Sequence, residues 1–387
     1  MKAFPMAVLL MALAILHVPA VQAGQSAATP LTLKVPGNST LVHGPEGEAI
    51  PAHAWHVVIS LTVVILLAIV PVFLSHGFFA WLIVVVYLTS LTMVKIFVKF
   101  AMSNGFGFPY TLTMFHMVCT AIAAAAFERP QISDALKVLP IAIVSGIGLA
   151  LSNTSLQFGG VAYCTMIASI TPATTFCLQL LLGRRQQSFK GLPAILCVCF
   201  GGILCVDGEA RAPLICVVLS IGTTLCSGLK PIWQHELISN DIPPSRLLFW
   251  MGAWSGLLLL PLAGVTEGLE PLRSLSQLAP EALEAVLASA VSATVLNVAG
   301  LWALQQLGPL LQTVIGNLNL IMVIALASAM LHEVIGAMQL MGVMLLVLGA
   351  VMSEKQVPKK NLAQDEKLPI FDASTDTKEY TPSLRQL

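Results

Sequence analysis

The sequence predicts an all-α polytopic membrane protein, with a ten-helix core of two inverted five-helix repeats and one extra N-terminal transmembrane helix. Three observations lead there. Hydrophobic residues make up 57% of the 387 residues and charged ones only 10%, against the roughly one quarter charged that a soluble domain carries. Between Ala49 and Ser353 the charges leave eight uncharged stretches, and three of them, Ala49–Val94, Val138–Gly183 and Ala285–His332, run 46 to 48 residues. As straight helix each would be about 70 Å long, whereas one crossing takes about 20 residues, so each crosses twice. The other five stretches fit one crossing each, which gives eleven crossings.

Residues 1–23 read as a secretory signal: Lys2, an apolar run from Met6 to Leu16, then Val21-Gln22-Ala23 with small residues at the cleavage positions. Residues 24–54 contain Pro, Gly and Thr but little charge and read as an unstructured lumenal leader. The extra helix is placed at 55–74. The ten core helices follow at 78–99, 109–127, 135–156, 160–182, 190–207, 212–233, 246–266, 281–304, 309–331 and 334–353. Residues 354–387 are polar, mixed in charge and proline-containing, the pattern of a disordered tail.

Charge placement sets the orientation. One set of connections carries Arg129, Arg184, Arg185, Lys190 and Arg246, with Lys355, Lys359 and Lys360 after the last helix. The other set holds Lys95 and Lys99 at a helix end, and Arg211 and Arg273 amid Asp207, Glu209, Glu267 and Glu270. The excess of basic residues puts the first set and the tail in the cytosol. A signal peptide routes the chain to the Golgi or ER membrane, with the plastid envelope as the alternative.

An offset of 147 residues relates Leu180–Val206 to Ala327–Ser353, with a looser echo of Asn153–Gly160 in Asn297–Gly308. Each half holds five helices, an odd number, so the second half is inverted in the membrane, a layout in which solutes bind at the repeat interface. Pro172 in the fourth core helix and Gly316 in the ninth are expected helix breaks at corresponding places. Freed backbone groups at bilayer depth are tolerated where they line a polar cavity.

Lys95 and Lys230 are the cations nearest the interior, at matching places in the two halves. A charge at bilayer depth costs about 2.5–3.5 kcal/mol unless it faces a cavity or partner, which makes both candidates for a solute pathway; snorkelling to an interface is the other reading. Ser152, Asn153, Gln157, Tyr163, Thr165, Asn297, Gln312, Asn317 and Asn319 form the polar lining expected around them, or serve as interhelical hydrogen-bond formers. His116 shares a face with Thr113 and reads as a buried, hydrogen-bonded histidine before it reads as a proton carrier. His332-Glu333 reads as an interfacial cap.

Paired intramembrane aspartates, H-E-x-x-H, G-x-S-x-G and a glycine-rich phosphate loop are all missing from the sequence. No catalytic residue, metal or cofactor is expected. All eight cysteines lie in apolar segments without metal-ligand spacing and read as packing residues. The balance of 19 basic against 19 acidic residues gives no reason to expect a nucleic-acid partner.

Lys95 followed by Gly105-Phe-Gly-Phe-Pro-Tyr-Thr-Leu-Thr-Met-Phe-His116 resembles the first two helices of the triose-phosphate and nucleotide-sugar translocator family, within the drug/metabolite transporter superfamily. Ser152–Tyr163 with Thr165 and Pro172, Gly228-Leu-Lys230 through Leu237, Glu267-Gly268 and Gly316-Asn317 continue the resemblance over Phe78–Lys355. It implies a secondary transporter, expected to be an antiporter of nucleotide-sugars or related sugar-phosphate-like anions. Its expected partners are that small-molecule substrate, membrane lipid and, as an option, a second copy in a homodimer. Three basic positions of sugar-phosphate members are here Ala168, Asn319 and Leu320, and Gly316-Asn-Leu-Asn-Leu320 is similar to the Gly-Ala-Leu-Asn-Lys motif of GDP-sugar transporters. The resemblance therefore implies an amide-rich site suited to a base or sugar. The alternatives are a carrier of a neutral or other small metabolite, and a transport-dead scaffold or receptor.

Overall fold

The computed structural model describes residues 61–158, 161–183, 191–205, 213–240, 242–275, 277–331 and 336–356. The signal, the leader, the start of the extra helix, Lys190, His332-Glu333 and the tail from residue 357 lie outside the described residues. Among the described residues every regular element is helical. The elements are α1 (described over 61–68), α2 (Val70–Ser103), α3 (Pro109–Phe127), α4 (Ile132–Phe158), α5 (Val161–Ala168), α6 (Thr171–Leu181), α7 (Leu192–Cys205), α8 (Leu214–Ser239), α9 (Pro244–Thr266), α10 (Glu270–Leu275), α11 (Pro280–Asn317), α12 (Asn319–Leu331) and α13 (Ala337–Gln356). Seven helical stretches are long and apolar enough to cross a membrane, and Leu192–Cys205 and Ala337–Ser353 are shorter apolar helices.

Two long helices are not single rods. Gly77 in α2 has φ 86°, ψ 175°, and Gly308 in α11 has φ 75°, ψ 171°, a conformation that side chains with a Cβ avoid. Gly77 divides α2 where the sequence separates the extra helix from the first core helix. Gly308, followed by Pro309, separates the eighth predicted helix from the ninth. Before Gly77, Leu61, Ile65, Ile69 and Val72 are buried on one stripe, while Val63, Leu67, Val70 and Leu74 are exposed on the opposite one. The extra helix thus docks on the bundle along one face.

Element limits agree with the sequence best where proline opens a helix: α3 starts at Pro109 as predicted. The seventh core helix is followed by a short helix, α10, that the sequence did not suggest. The eighth ends at Gly308, not at residue 304, because apolar packing continues through Leu307. Gly316 does not break its helix. It stays helical, a Cβ there would lie 3.1 Å from the Tyr87 hydroxyl, and the interruption comes at Leu318.

Four pairings carry most of the packing: α2 with α11, α3 with α9, α4 with α8, and α7 with α13. Small residues permit the close approaches. A Cβ on Gly342 would meet the Gly201 carbonyl at 2.7 Å and one on Gly349 the Ala194 carbonyl at 2.7 Å, so α7 and α13 run antiparallel in backbone contact. Gly252 of α9 approaches the Met117 carbonyl of α3 equally closely, and Gly148 of α4 faces Cys226 of α8.

Candidate functional site

Two helix interruptions, one just before Pro172 and one at Leu318, meet each other. Pro172 has no N–H to give the Ala168 carbonyl, and the Thr171 hydroxyl donates to that carbonyl instead at 2.6 Å. The turn tightens locally, with Ser169 N–H donating to Met166 O at 3.2 Å and Ile170 N–H to Ile167 O at 3.1 Å. On the other side Leu318 N–H donates to Ile315 O at 2.9 Å and Ile321 N–H to Leu318 O at 3.0 Å. Asn317, at the end of α11, donates from Nδ2 to the Ser169 carbonyl at 2.7 Å. The side chain of one interruption therefore satisfies the backbone of the other.

Asn319, the first residue of α12, is buried at 2% exposure, and the Thr92 hydroxyl of α2 donates to its Oδ1 at 2.6 Å. The sequence expected this amide to face a solute. In the structure it ties α12 to α2. Asn153 donates to Thr113 Oγ1 at 3.2 Å, Asn297 to Thr120 Oγ1 at 3.2 Å, and Gln312 to the Gly300 carbonyl at 2.7 Å. His116 is buried with Nε2 2.9 Å from Ser289 Oγ. The Ser289 hydroxyl also lies 2.7 Å from the Val286 carbonyl. Thr113 turns to α4 and His116 to α11, so the shared face expected of them serves two different neighbours. Ser152 and Thr165 are half-buried. Tyr163 and Gln157 lie in α5 and α4, with side chains outside the described residues.

The two lysines differ from this bonded set: neither Lys95 nor Lys230 has an ion pair or hydrogen bond with the described residues. Val84, Leu88 and Thr92 are buried on one stripe of α2, and the stripe opens at Lys95, which is exposed. In α8, Ile215, Val218, Ile221 and Leu225 form the exposed apolar side. Thr223, Ser227 and Lys230 lie on the other side, at i, i+4 and i+7, in the sector of the buried Cys216, Ser220 and Gln234, yet Ser227 is exposed and Lys230 half-buried. An accessible polar stripe on the inward side of a helix whose outward side is apolar points to interior space. Gly228, two residues before Lys230 and on another face of α8, packs on Thr174 and Thr175 of α6, where a Cβ would meet them at 3.1–3.3 Å. Sequence reasoning missed Thr223 and Ser227, although their spacing with Lys230 was readable.

Sequence reasoning named Glu267 only as a loop charge and as part of the resemblance, and did not single out Glu128. Glu267 follows α9, and its carboxylate receives Tyr110 N–H at 2.7 Å and both the N–H and hydroxyl of Thr111 at 2.8 and 2.5 Å. Glu128 follows α3 and accepts the Ser245 hydroxyl, with Arg246 Nε 3.4 Å away. Arg246 Nη1 also lies 3.2 Å from Asp134. Trp250 and Trp254 donate from Nε1 to the Gln131 and Ala135 carbonyls at 2.9 and 3.0 Å, fastening α4 to α9 at the same end.

Human solute carrier family 35 member E4 is 26% identical over 251 residues, 64% of this chain and 71% of that one. UDP-uronic acid transporter 1 of Arabidopsis thaliana is 27% identical over 187 residues, 45% of this chain and 60% of its own length. A solved crystal structure shares the fold at a TM-score of 0.54 and 13% identity, covering 72% of this chain and 97% of that one. The sequence profile of the Triose-phosphate Transporter family matches residues 78–353, well over half of the chain, and the chain belongs to that family.

Proposed function

We propose that this chain is a ten-helix inverted-repeat antiporter of nucleotide-sugars or related sugar-phosphate-like anions. One half is α2 after Gly77, α3, α4, α5 with α6, and α7. The other is α8, α9, α11 to Gly308, the rest of α11 with α12, and α13. The observation that carries the reading is the Asn317–Ser169 bond, which joins the interrupted fourth and ninth helices at their breaks. The pairings support it. Exchanging the halves maps α3–α9 and α7–α13 each onto itself, and maps α4–α8 onto the pair of α11 with α2. The self-mapped pairs run antiparallel, as inversion requires.

Because the amides of Asn153, Asn297, Asn317 and Asn319 are engaged within the protein, the accessible Lys230, with Lys95 and Ser227, is the proposed grip on an anionic group. A carrier with Ala168 and Leu320 where sugar-phosphate members hold cations suits a nucleotide-sugar better than a bare phosphate. UDP-uronic acid, the solute in the name of the Arabidopsis relative, is of that class. Uptake into proteoliposomes loaded with candidate counter-substrates is the test. Lys230→Ala should raise the apparent KM for an anionic solute roughly ten- to a hundredfold, the loss of one buried charge-assisted bond of about 1.5–3 kcal/mol. Absence of exchange with every nucleotide, nucleotide-sugar and sugar phosphate would instead favour the scaffold or receptor; uptake of an uncharged solute would favour a neutral-metabolite carrier.

The proposed residence is the Golgi or ER membrane, with a lumenal mature N-terminus and a cytosolic tail. Protease added to sealed microsomes should remove an epitope placed after Lys360 and spare one near Gly47. The reverse pattern would overturn the orientation.

A further inference from the structure

Two glutamates at the far ends of α3 and α9 occupy matching places. Each is the residue that ends its helix: Glu128 is the C-cap of α3 and Glu267 the C-cap of α9. Each reaches the first turn of the other helix at its second and third residues, Ser245 and Arg246 in one case, Tyr110 and Thr111 in the other. Both helices open with proline behind a residue that makes no side-chain cap, Phe108 before α3 and Pro243 before α9. A helix start leaves N–H groups unsatisfied and carries partial positive charge, and at α3 the partner's carboxylate supplies what the local sequence lacks. At α9 a hydroxyl and a guanidinium take the carboxylate, with Asp134 as a second anion 3.2 Å from Arg246. Between the two ends Gly252 and Gly256 of α9 lie against Met117 and Val118 of α3.

We infer that Glu128 and Glu267 are positioning residues, a reciprocal pair of clasps that hold α3 and α9 as one rigid spine through the transport cycle. Both clasps are closed in one structure, at opposite ends of an antiparallel pair. A gate that opened alternately between these two helices would have one clasp apart in each of its open arrangements. With the spine fixed at both ends, the solute passes elsewhere, beside the interrupted helices, and the moving elements are α5, α6, α12 and the helices that flank them. The inference concerns how the proposed carrier moves and rests on that reading for its transport arm alone.

The test replaces each clasp by a covalent one. Thr111→Cys with Glu267→Cys, and Ser245→Cys with Glu128→Cys, are introduced separately and together, and each pair is bridged with a short bifunctional methanethiosulfonate in the membrane-embedded full chain. Peptide mapping identifies the linked residues against the chain's own eight cysteines. In the fourfold variant the doubly bridged fraction should equal or exceed the product of the two single fractions, because both ends close together. Depletion of the doubly bridged form below that product overturns the inference whether or not a solute is known. In the transport arm, Glu267→Ala should lower exchange about tenfold, Glu267→Gln less, since one amide oxygen still accepts. In the Thr111→Cys, Glu267→Cys variant, bridging the two introduced thiols should bring exchange back to within about threefold of the parent. Exchange that falls further on bridging would make the clasp a moving gate and overturn the spine. An inactive parent would count against the proposed function only, with the bridging statistics still deciding the inference.

Discussion

The two interrupted crossings reach the same shape by opposite routes. In α5–α6 the interruption is written locally: Pro172 cannot donate, and Thr171, its neighbour, covers the freed Ala168 carbonyl. In α11–α12 no residue forces one. Leu318 keeps helical torsions (φ −62°, ψ −19°) and is fully buried, and what marks the site is two amides, Asn317 and Asn319, held by groups from α2 and the facing break. One break would survive in an isolated peptide. The other depends on the assembled bundle, so the two should respond differently to substitution.

The largest expected effect is at Asn317. Its Nδ2 bonds the Ser169 carbonyl between α5 and α6, and Leu in its place leaves that carbonyl in apolar surroundings. Asn317→Leu should lose about 1–3 kcal/mol, read by titrating the purified carrier with SDS in mixed micelles, and should lower exchange at least tenfold. Parent-like stability would mean that the two breaks do not support one another. Asn319→Leu should cost less, about 0.6 kcal/mol, the typical worth of an interhelical hydrogen bond in a membrane protein. Thr92 keeps a second acceptor, the Leu88 carbonyl at 3.0 Å, so only the amide's own contacts are lost. If Asn319→Leu is the more damaging of the two, the α2 contact and not the junction of the breaks holds this region.

What the sequence made legible follows the same division. Proline-marked features were readable: the start of α3 at Pro109 and the break before Pro172. Gly316 misled because a glycine in a helix signals either a break or a close approach, and only the position of Tyr87 settles which. The candidate site divides likewise. Lys95 and Lys230 stood out because a charge within an apolar run is rare. That most of the polar residues around them would be engaged within the protein was not readable, since Asn297 meets Thr120 and Asn319 meets Thr92 across 177 and 227 residues. The clasp at Glu267, 156 residues from Thr111, was hidden for the same reason. A carboxylate just past a helix reads locally as an ordinary interfacial charge.

The coupling between Thr171 and Pro172 is the most diagnostic of the local break. Thr171→Val in the parent removes the donor that covers Ala168 O and should cost about 1 kcal/mol. Pro172→Ala supplies a backbone N–H that can take over the same carbonyl, so by itself it should change stability by well under 1 kcal/mol. Combined, the two substitutions should not add: with the backbone donor present, losing the Thr171 hydroxyl should cost close to nothing. The double-mutant cycle should therefore show a coupling of about 0.5–1 kcal/mol. Additive behaviour would mean that the Ala168 carbonyl stays out of reach of a restored amide. The interruption would then be fixed by the Asn317–Ser169 contact in both crossings, and the distinction between a local and a tertiary break would disappear.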